Sequence, residues 1–342
     1  MSTSDIVLDV SGLNVSFATE RGRVTAVDDI SFQVRRGEIL SIVGESGSGK
    51  TVSLLSILGL IDRRNARIEG SVVFDGQRLL ELSEREMRRI RGRAIGFISQ
   101  DPMTALTPVH TIGWQIAEQI HAHNRLSARA ANKRAIELLD AVGIPNPAGT
   151  VDRYPHQLSG GMRQRVVIAM ALVMNPALVI ADEPTTALDV TIQAQILELM
   201  ADLTRRLGTS VLLITHDLGV VAENCARVIV MYAGEVVEAS TTATLFDAAH
   251  HPYTEGLLGA MPRVGGDAER LATIPGTVPP PTAWPSGCRF RDRCPYAWDR
   301  CEREHPPLYQ IGGGHISRCH LAEEPERRAH PHPPIAAELG AA

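Results

Sequence analysis

The stretch "GESGSGKT" at residues 44–51 decides the fold of this chain. It follows the apolar segment "EILSIV" and leads into the apolar, helix-spaced segment "VSLLSILGLI". This is the motif G-x-x-x-x-G-K-[ST] in the strand–loop–helix context that gives it meaning. Its glycines allow backbone angles that let successive N–H groups point inward at phosphate oxygens. The motif predicts a nucleotide-phosphate site, but alone it does not distinguish a kinase from a GTPase or a motor protein.

Two side chains at the end of this loop carry the predicted chemistry. Lys50 is expected to reach the β- and γ-phosphates, and the Thr51 hydroxyl is expected to bind Mg²⁺. Lys50 is one of only two lysines, the other being Lys133, in a chain rich in arginine. A compact ammonium suits a point contact with phosphate, whereas a guanidinium offers a planar fork. The loop is therefore predicted to bind a nucleotide together with Mg²⁺.

Two adjacent acids end a later apolar strand, "ALVIADEP" at residues 177–184. Asp182 stands where the predicted strand stops and suits a contact with Mg²⁺, directly or through water. Glu183 lies one residue further into the cleft and is placed to polarise the attacking water as a general base. A strand that ends in two ordinary capping acids would have the same pattern. The presence of the phosphate loop in the same chain is what favours a role in hydrolysis.

Two more predicted strands end in a polar side chain. "FISQDP" ends at Gln100, whose amide could touch both Mg²⁺ and the attacking water. "SVLLITHD" ends at His216, a donor that could sense whether the γ-phosphate is still present. A lone Gln or His in such a place is usually structural. Their functional interpretation therefore depends on the phosphate loop and on the paired acids.

The order of predicted elements indicates the fold class. From residue 160 to 232, helix-like and strand-like segments alternate, which predicts an α/β fold with a doubly wound, mainly parallel sheet. Residues 6–43 instead read as short segments, "IVLDV", "LNVSF" and "RVTAVDDISFQV", with Gly22 and Gly37 as turn signals. These predict a small antiparallel sheet leading into a buried strand. Within residues 127–142, one helical face is predicted to carry Ala131, Ala135, Leu138, Leu139 and Val142.

Composition excludes some function classes. The 342 residues are 44% hydrophobic and 21% charged, with a net charge of −5. This mild acidity gives no whole-protein attraction to nucleic acid or anionic lipid. The sequence contains no apolar run of the ~18 residues that a membrane span needs, and "MSTSDIVLDV" has no signal-peptide pattern. A cytoplasmic location is expected, with any membrane role acting through a partner.

A second stretch, "YPHQLSGGMRQRVVIAMAL" at residues 154–172, also has the pattern of a phosphate-binding helix start. Ser159, Gly160 and Gly161 offer a hydroxyl, N–H groups and a helix N-terminus. Its core, "LSGGMRQR", resembles the signature of the ATP-binding-cassette (ABC) ATPases, and the resemblance extends over residues 6–240. The family explains a second phosphate-binding stretch, because its signature closes on ATP held by another subunit.

The resemblance implies a fold and a subunit arrangement. The expected fold is an α/β P-loop ATPase core (RecA-like) with an antiparallel β subdomain and an α-helical subdomain at about 100–165. These belong to a nucleotide-binding domain at residues 1–250, followed by a small Pro/Cys-rich C-terminal extension. Two chains are expected to sandwich two ATP molecules head to tail, as two-fold symmetry permits.

The resemblance also implies roles for individual residues. The implied ATP-binding positions are Phe17, Gly44, Glu45, Ser46, Gly47, Ser48, Gly49, Lys50, Thr51, Gln100, Ser159, Gly160, Gly161, Asp182 and Asp189. The resemblance implies that Thr51, Gln100 and Asp182 bind Mg²⁺. It implies catalytic roles for Glu183, His216 and Gln100, and none of these catalytic positions departs from the family's residue. Ala187, Leu188 and Asp189 match a loop at the dimer seam. Phe17 would stack on adenine, although an aromatic residue on an early strand is usually a core residue.

Two further regions resemble one branch of this family. Residues 99–116, "SQDPMTALTPVHTIGWQI", are similar to the equivalent stretch of the dipeptide, oligopeptide and nickel importer ATPases, with Thr107 where Asn is more usual. Residues 251–262, "HPYTEGLLGAMP", and residues 279–308 are similar to the C-terminal extension of those proteins. The implied function is that of an ATP-hydrolysing subunit of an ABC importer for di- or oligopeptides. The alternatives are uptake of nickel or another small solute, and a soluble ABC ATPase acting on nucleic acid or ribosomes.

The implied partners follow from this branch. A second ABC ATPase subunit, a copy or a related chain, is expected, with two transmembrane permease subunits and a solute-binding protein. No nucleic acid is expected. The chain would lie peripherally at the cytoplasmic face of the cell membrane. Residues 100–116 and the helical region after them are expected to receive a permease helix.

Cysteines cluster in the expected extension, residues 251–325. Cys288, Cys294, Cys301 and Cys319 have the spacing C-x5-C-x6-C-x17-C, and Cys225 stands apart. Zinc sites usually have tighter pairs, although His305, His315 and His320 could serve as ligands. Four thiolates also suit a [4Fe–4S] cluster, which the family resemblance implies for some members. Unmetallated thiols are the third alternative. The last segment, residues 326–342, has the composition of a disordered tail.

Overall fold

The computed structural model describes residues 5–20, 22–185, 189–261, 273–329 and 331. Two predictions fall partly outside this range. Ala187 and Leu188 of the expected dimer seam lie outside the described residues, as do residues 330 and 332–342 of the expected tail. The first residues of that tail belong to a 3₁₀ helix, Pro325–Ala329.

Strands and helices alternate through most of the described chain. The strands are β1 (Ile6–Thr19), β2 (Gly22–Arg35), β3 (Ile39–Val43), β4 (Ala66–Phe74), β5 (Gln77–Arg78), β6 (Ile95–Ile98), β7 (Leu178–Asp182), β8 (Ser210–Thr215), β9 (Arg227–Tyr232), β10 (Glu235–Thr241), β11 (Tyr309–Gly312) and β12 (His315–Ser317). The helices are α1 (Lys50–Ile57), α2 (Glu84–Ile90), α3 (Pro102–Ala105), α4 (Ile112–His123), α5 (Ala128–Ala141), α6 (Pro147–Thr150), α7 (Gly160–Leu172), α8 (Val190–Leu207), α9 (Leu218–Asn224), α10 (Thr242–Asp247), α11 (Pro252–Gly259) and α12 (Asp299–Arg303).

Contacts divide the chain into two compact units. The first unit comprises Met1–Leu8, Gln33–Ile39 and Val73–Ile214. The second comprises Asp9–Phe32, Leu40–Val72 and Thr215–Ala342. The domain boundary expected near residue 250 from the sequence stays a prediction.

The first unit is built on parallel strands covered by helices. β6 pairs with β7, and β7 pairs with β8, both in parallel. Every residue of β7 and β8 is buried, as expected for strands with both faces covered. Gly96 of β6 lies so close to α7 that a Cβ atom there would be 2.3 Å from the carbonyl oxygen of Ala171. Parallel pairing places the carboxyl ends of these strands along one edge.

The second unit contains two groups of strands. β3 pairs in parallel with β9, β9 pairs antiparallel with β10, and the antiparallel strands β12 and β11 follow. β1, β2 and β4 lie in the order β2–β1–β4 in another sheet. The predicted α/β class is confirmed, and the early strands belong to a sheet other than that of the parallel strands.

Local predictions have mixed outcomes. The predicted helical face is confirmed, because α5 and its C-cap bury all five of its members: Ala131, Ala135, Leu138, Leu139 and Val142. The division of the first segment into two short strands is wrong, since β1 is continuous. Gly12 adopts a φ of 58°, and its N–H donates to Ser31 Oγ at 2.9 Å. The left-handed conformation of Gly12 thus lies within β1 and does not end the strand.

A buried carboxylate joins β10 to the C-terminal region within the second unit. Glu238 is fully buried, and its Oε1 lies 2.7 Å from His315 Nε2 on β12. Its two oxygens also accept the backbone N–H groups of His250 at 2.6 Å and His251 at 3.0 Å. Burial alone would raise the pKa of Glu238, but the hydrogen bonds from His315 and the backbone outweigh it and lower the pKa. The carboxylate therefore holds β10, β12 and the start of α11 together.

Replacing this carboxylate should destabilise the second unit. Glu238→Gln should lower the free energy of unfolding by about 3 kcal/mol. The glutamine amide replaces one carboxylate oxygen with an NH₂ group, so one of the backbone N–H groups that donate to Glu238 loses its acceptor. Glu323→Gln is the matched control, because Glu323 and its partner Arg300 are both solvent-accessible, and it should cost much less, since water screens exposed ion pairs. Denaturant unfolding followed by tryptophan fluorescence measures both. Equal losses would contradict a special role for Glu238.

Candidate functional site

The phosphate loop, residues 44–51, joins β3 to α1 in the second unit. Gly49 is the N-cap of α1 with a φ of 100°, and Gly44 has a φ of 154°. Such angles favour glycine. A Cβ atom on Gly44 would lie 2.2 Å from the carbonyl oxygen of Met231, and one on Gly49 would lie 3.0 Å from that of Ala26. The neighbouring backbone therefore requires glycine at residue 44 and disfavours a side chain at residue 49.

Lys50 is bound by oxygens of its own loop. Its Nζ donates to the carbonyl oxygens of Gly44 at 2.6 Å and Glu45 at 3.0 Å, and to Ser48 Oγ at 3.4 Å. The side chain is only 5% exposed, whereas the next residue, Thr51, is exposed. An ammonium held in this way can exchange a carbonyl oxygen for a phosphate oxygen, because it has three donors on one rotating group.

Glu45 is held by residues from the far end of the chain. Its backbone N–H donates to Tyr253 Oη at 2.8 Å. Its carboxylate accepts two hydrogen bonds from Arg293, at 2.7 and 3.0 Å. Sequence reasoning placed Glu45 among the ATP-binding residues but missed Tyr253 and Arg293. Tyr253 lies in the stretch quoted at residues 251–262, and Arg293 lies within residues 279–308, but no spacing rule connects either residue with a loop some 200 residues earlier.

The predicted catalytic groups of the first unit meet at a strand end. Asp182 is the last residue of β7 and is 6% exposed. The next residue, Glu183, has a φ of 46°, and its N–H donates to the carbonyl oxygen of Ile214 on β8 at 2.9 Å. Gln100, two residues beyond β6, donates from Nε2 to Glu183 Oε2 at 3.2 Å. Parallel pairing therefore brings Gln100 to Glu183, as its place at a strand end suggested.

His216 and Phe17 belong to the second unit. His216 directly follows β8 and is exposed. The next residue, Asp217, caps α9 by accepting the N–H of Gly219 at 2.8 Å. Phe17, on β1, is half-buried. Both side chains are accessible, and their functional roles stay predictions.

The signature begins a helix in the first unit. Ser159 is the N-cap of α7, and its Oγ accepts the N–H of Met162 at 3.3 Å. Gly161 packs against α8, where a Cβ atom would lie 2.9 Å from Ile192 Cγ2. Asp189 caps α8 by accepting the N–H of Ile192 at 3.0 Å. The starts of α7 and α8 thus pack together, leaving Ser159 and Asp189 exposed.

The predicted site residues are divided between the two units. The second unit contains Phe17, His216 and the phosphate-loop residues Gly44, Glu45, Ser46, Gly47, Ser48, Gly49, Lys50 and Thr51. The first contains Gln100, Ser159, Gly160, Gly161, Asp182, Glu183 and Asp189.

Comparison with known proteins identifies the family. Residues 27–186 match the family described as ABC transporter, and residues 237–301 match the C-terminal region of oligopeptide/dipeptide transporters. The dipeptide transport ATP-binding protein DppD of Escherichia coli is 51% identical over 92% of this chain and 96% of its own length. The oligopeptide transport ATP-binding protein AppD of Bacillus subtilis is 49% identical over 93% of this chain and 97% of its own. The chain is an ABC transporter ATP-binding protein.

Solved structures agree with this family. The dimeric ATP-binding cassette MJ0796, in a post-hydrolysis state bound to ADP and Pi, has a TM-score of 0.62 and 30% identity. The match covers 69% of this chain and 98% of the cassette. The protein cbiO1 of Clostridium perfringens, part of an ABC transporter complex, has a TM-score of 0.61 and 28% identity over 71% of this chain and 92% of its own. ATP hydrolysis is accordingly the activity of this subunit.

No described helix of the ABC subunit combines the length and apolar character that crossing a membrane requires.

The four clustered cysteines of this ABC subunit are neighbours in the second unit. Burial and the nearby thiols of Cys319, Cys294 and Cys301 raise the pKa of Cys288. Burial also raises the pKa of Cys319 to about 12. The backbone N–H of Tyr296 donates to Cys294 Sγ at 3.4 Å. The cysteines spaced along the sequence therefore converge.

The metal prediction is not supported by this arrangement as it stands. Within the described ranges, no group of three or more His, Cys, Asp or Glu side chains is arranged to hold a metal ion. The three histidines considered as zinc ligands have other neighbours: His305 Nε2 lies 2.8 Å from Glu235, His315 Nε2 lies 2.7 Å from Glu238, and His320 Nε2 lies 3.1 Å from the carbonyl oxygen of Glu304. A Cys/His zinc site is therefore disfavoured.

Proposed function

We propose that this subunit hydrolyses ATP to drive the uptake of di- or oligopeptides through an ABC importer. The observation that carries the proposal is end-to-end similarity to ATP-binding proteins named for dipeptide and oligopeptide transport. The match of residues 237–301 to the C-terminal region of such transporters supports it. Uptake of nickel or of another small solute is the alternative.

The proposed partners are a second ABC ATPase subunit, two permease subunits and a solute-binding protein. The chain itself would lie at the cytoplasmic face of the membrane, bound to the permeases. An exposed apolar patch on the first unit supports a docking role: Val109 is 71% exposed and Trp114 is 49% exposed. The ring of His110 stacks on Trp114 with 3.7 Å between centroids. An amphipathic permease helix could bury these groups.

ATP binding is proposed to use the phosphate loop and the β1 aromatic. Backbone N–H groups of residues 44–51 and the Lys50 ammonium bind the phosphates, and Phe17 stacks on adenine. Thr51, Gln100 and Asp182 offer the oxygen ligands that Mg²⁺ prefers, and the ion would neutralise charge on the phosphates. The chemistry of each of these oxygen donors suits Mg²⁺.

Hydrolysis is proposed to depend on Glu183 as the general base. Water attacks the γ-phosphorus, Glu183 accepts its proton, and the bond to the β–γ bridging oxygen breaks, so that ADP leaves with that oxygen. Gln100 is a positioning residue, because its Nε2 lies 3.2 Å from Glu183 Oε2. His216 donates to the γ-phosphate.

A second subunit is proposed to complete each site. Ser159 and Gly160 stand exposed at the start of α7, where backbone N–H groups and the helix dipole favour an anion. In the proposed dimer, they bind the γ-phosphate held by the partner's phosphate loop, and Asp189 lies at the seam. Release of phosphate removes the group that joins the two halves, so the dimer opens.

The cargo is tested by transport. The tagged chain is used to purify its transporter from the source membrane, and the complex is reconstituted in vesicles with its solute-binding protein. ATP-dependent uptake of a labelled dipeptide and a labelled pentapeptide is expected, and unlabelled peptide should compete with it. Uptake of ⁶³Ni²⁺ without peptide uptake would contradict the peptide proposal. Co-purification of nucleic acid or ribosomes, with no permeases, would contradict the importer itself.

Glu183→Gln should separate ATP binding from hydrolysis. The amide preserves size but cannot accept a proton, so turnover should fall at least about 100-fold while ATP binding stays within about threefold. With ATP, the variant should accumulate a dimer in size-exclusion chromatography. Glu198→Gln, at an exposed position on α8, is the control and should behave as the unaltered protein. Near-normal hydrolysis by Glu183→Gln would rule out the proposed base.

We further propose that Cys288, Cys294, Cys301 and Cys319 hold a [4Fe–4S] cluster in the cell. Support comes from the convergence of four buried or half-buried thiols and from the backbone N–H of Tyr296, which donates to Cys294 Sγ. Such hydrogen bonds tune iron–sulfur centres. Cysteine thiolates are the ligands that such a cluster takes, and the cluster would supply a cross-link between chain segments 288–301 and 319.

Removing one thiol tests this proposal. Protein purified without oxygen should contain about four iron and four sulfide per chain, with a brown colour. Cys301→Ser should lose most of the iron. Cys225→Ser removes a buried thiol whose hydrogen-bond neighbour is Ser41 rather than the cluster, so it should retain the iron. Iron-free, colourless protein from the unaltered chain would exclude the cluster.

A further inference from the structure

The segment between the first two clustered cysteines, residues 288–294, packs behind the phosphate loop within the second unit. Its aromatic residue, Phe290, is buried between Tyr232, with ring centroids 5.2 Å apart, and Tyr253, at 5.4 Å. We call residues 288–294 the brace segment. It carries two almost fully buried arginines, Arg289 and Arg293, and both reach groups that touch the phosphate loop.

Arg293 binds the phosphate loop directly. Its guanidinium makes a two-pronged contact with the carboxylate of Glu45, at 2.7 and 3.0 Å. Its Nε donates to the carbonyl oxygen of Pro275 at 2.8 Å, so the fork has a fixed orientation. The side chain is 3% exposed. A buried, bidentate guanidinium–carboxylate pair is strong and geometrically specific, and a lysine cannot reproduce it.

Glu45 connects Arg293 to Lys50, the predicted phosphate-binding side chain. Its N–H is held by Tyr253 Oη, and its carbonyl oxygen accepts from Lys50 Nζ at 3.0 Å. With the carboxylate on Arg293, every polar group of Glu45 is engaged. Rotation of this residue would therefore move a carbonyl oxygen that positions the Lys50 ammonium.

Arg289 supports the other side of the loop. Its Nη1 donates to the carbonyl oxygen of Ala233 at 2.7 Å, and its Nη2 binds Asp28. Ala233 has a φ of 44°, an angle that an L-residue holds only under restraint. The N–H of the next residue, Gly234, donates to the carbonyl oxygen of Ser48 at 3.0 Å. Arg289 thus restrains the turn at Ala233 and Gly234, and the Gly234 N–H hydrogen bond holds Ser48 of the phosphate loop.

We propose that Arg289 and Arg293 are positioning residues for ATP, and that the cysteine-bearing extension is a structural part of the nucleotide site. Without the brace segment, Glu45 and the turn at Ala233 lose their restraints, and the phosphate loop samples conformations that bind phosphate weakly. The proposal concerns nucleotide affinity and does not depend on the transported cargo or on the state of the cysteines.

The decisive experiment measures binding of Mg²⁺–AMP-PNP to the purified full chain by calorimetry. Arg293→Ala should weaken binding about tenfold, the size expected for losing a charged hydrogen-bonded contact, and Arg293→Lys should fall between Ala and the unaltered protein. In steady-state assays, the KM for ATP should rise by a similar factor while kcat changes less than about threefold, because Glu183 and Gln100 are untouched.

Two further variants separate positioning from general damage. Arg291→Ala is the matched control: this guanidinium lies in the same segment, but its hydrogen-bond partners among the described residues are Ser286, Asp292 and Glu302 of the extension. It should leave nucleotide affinity within about twofold. Glu45→Gln should reproduce the loss seen in Arg293→Ala. Glu45→Gln combined with Arg293→Ala should be about as weak as either alone, because both remove the same pair.

Three results would overturn the proposal. The first is unchanged affinity in folded Arg293→Ala, as judged by circular dichroism. The second is an equal loss in Arg291→Ala, which would indicate that any damage to the extension has the same effect. The third applies if Arg293→Ala fails to fold: unchanged affinity in Glu45→Gln would then exclude the link between the brace segment and the loop.

Discussion

The ammonium of Lys50, buried among oxygens of its own loop, is the interaction on which the nucleotide site depends. A buried charge is tolerated only where oriented dipoles replace water. Here those dipoles are the carbonyl groups of Gly44 and Glu45. Their orientation requires the backbone angle of Gly44 and its close approach to Met231. The burial of the Lys50 charge therefore depends on how closely Gly44 approaches the backbone of β9, which is far away in the sequence.

Much of this arrangement could be predicted from the sequence, because short-range geometry dictates it. A strand, a glycine loop and a helix in direct succession place Lys50 and Thr51 without knowledge of the remaining chain. Parallel strands bring their carboxyl ends to one edge, so Gln100 and Glu183 could be expected to meet. The helix start at Ser159 could be predicted because Ser is a favoured N-cap residue, whereas its role as a signature came from the resemblance to the ABC ATPases.

Long-range contacts escaped prediction for a physical reason. Arg293 and Glu45 are separated by 248 positions, and neither composition nor periodicity records such a pairing. An Arg in a charged, cysteine-rich segment reads as a surface residue until the fold buries it. The convergence of the four cysteines likewise depends on how α12 and β12 return toward one another. Even the break expected in β1 was misjudged, since a glycine in a left-handed conformation can bend a strand without ending it.

The backbone at Glu183 has a consequence for the evolution of this ATPase. A non-glycine residue with a φ of 46° costs on the order of 1–3 kcal/mol, and glycine would relieve that strain. Selection for thermal robustness alone would thus drift toward glycine at this position and erase the carboxylate. The acid at position 183 therefore carries a conformational cost that glycine would avoid, and its proposed role as proton acceptor gives a reason for that cost.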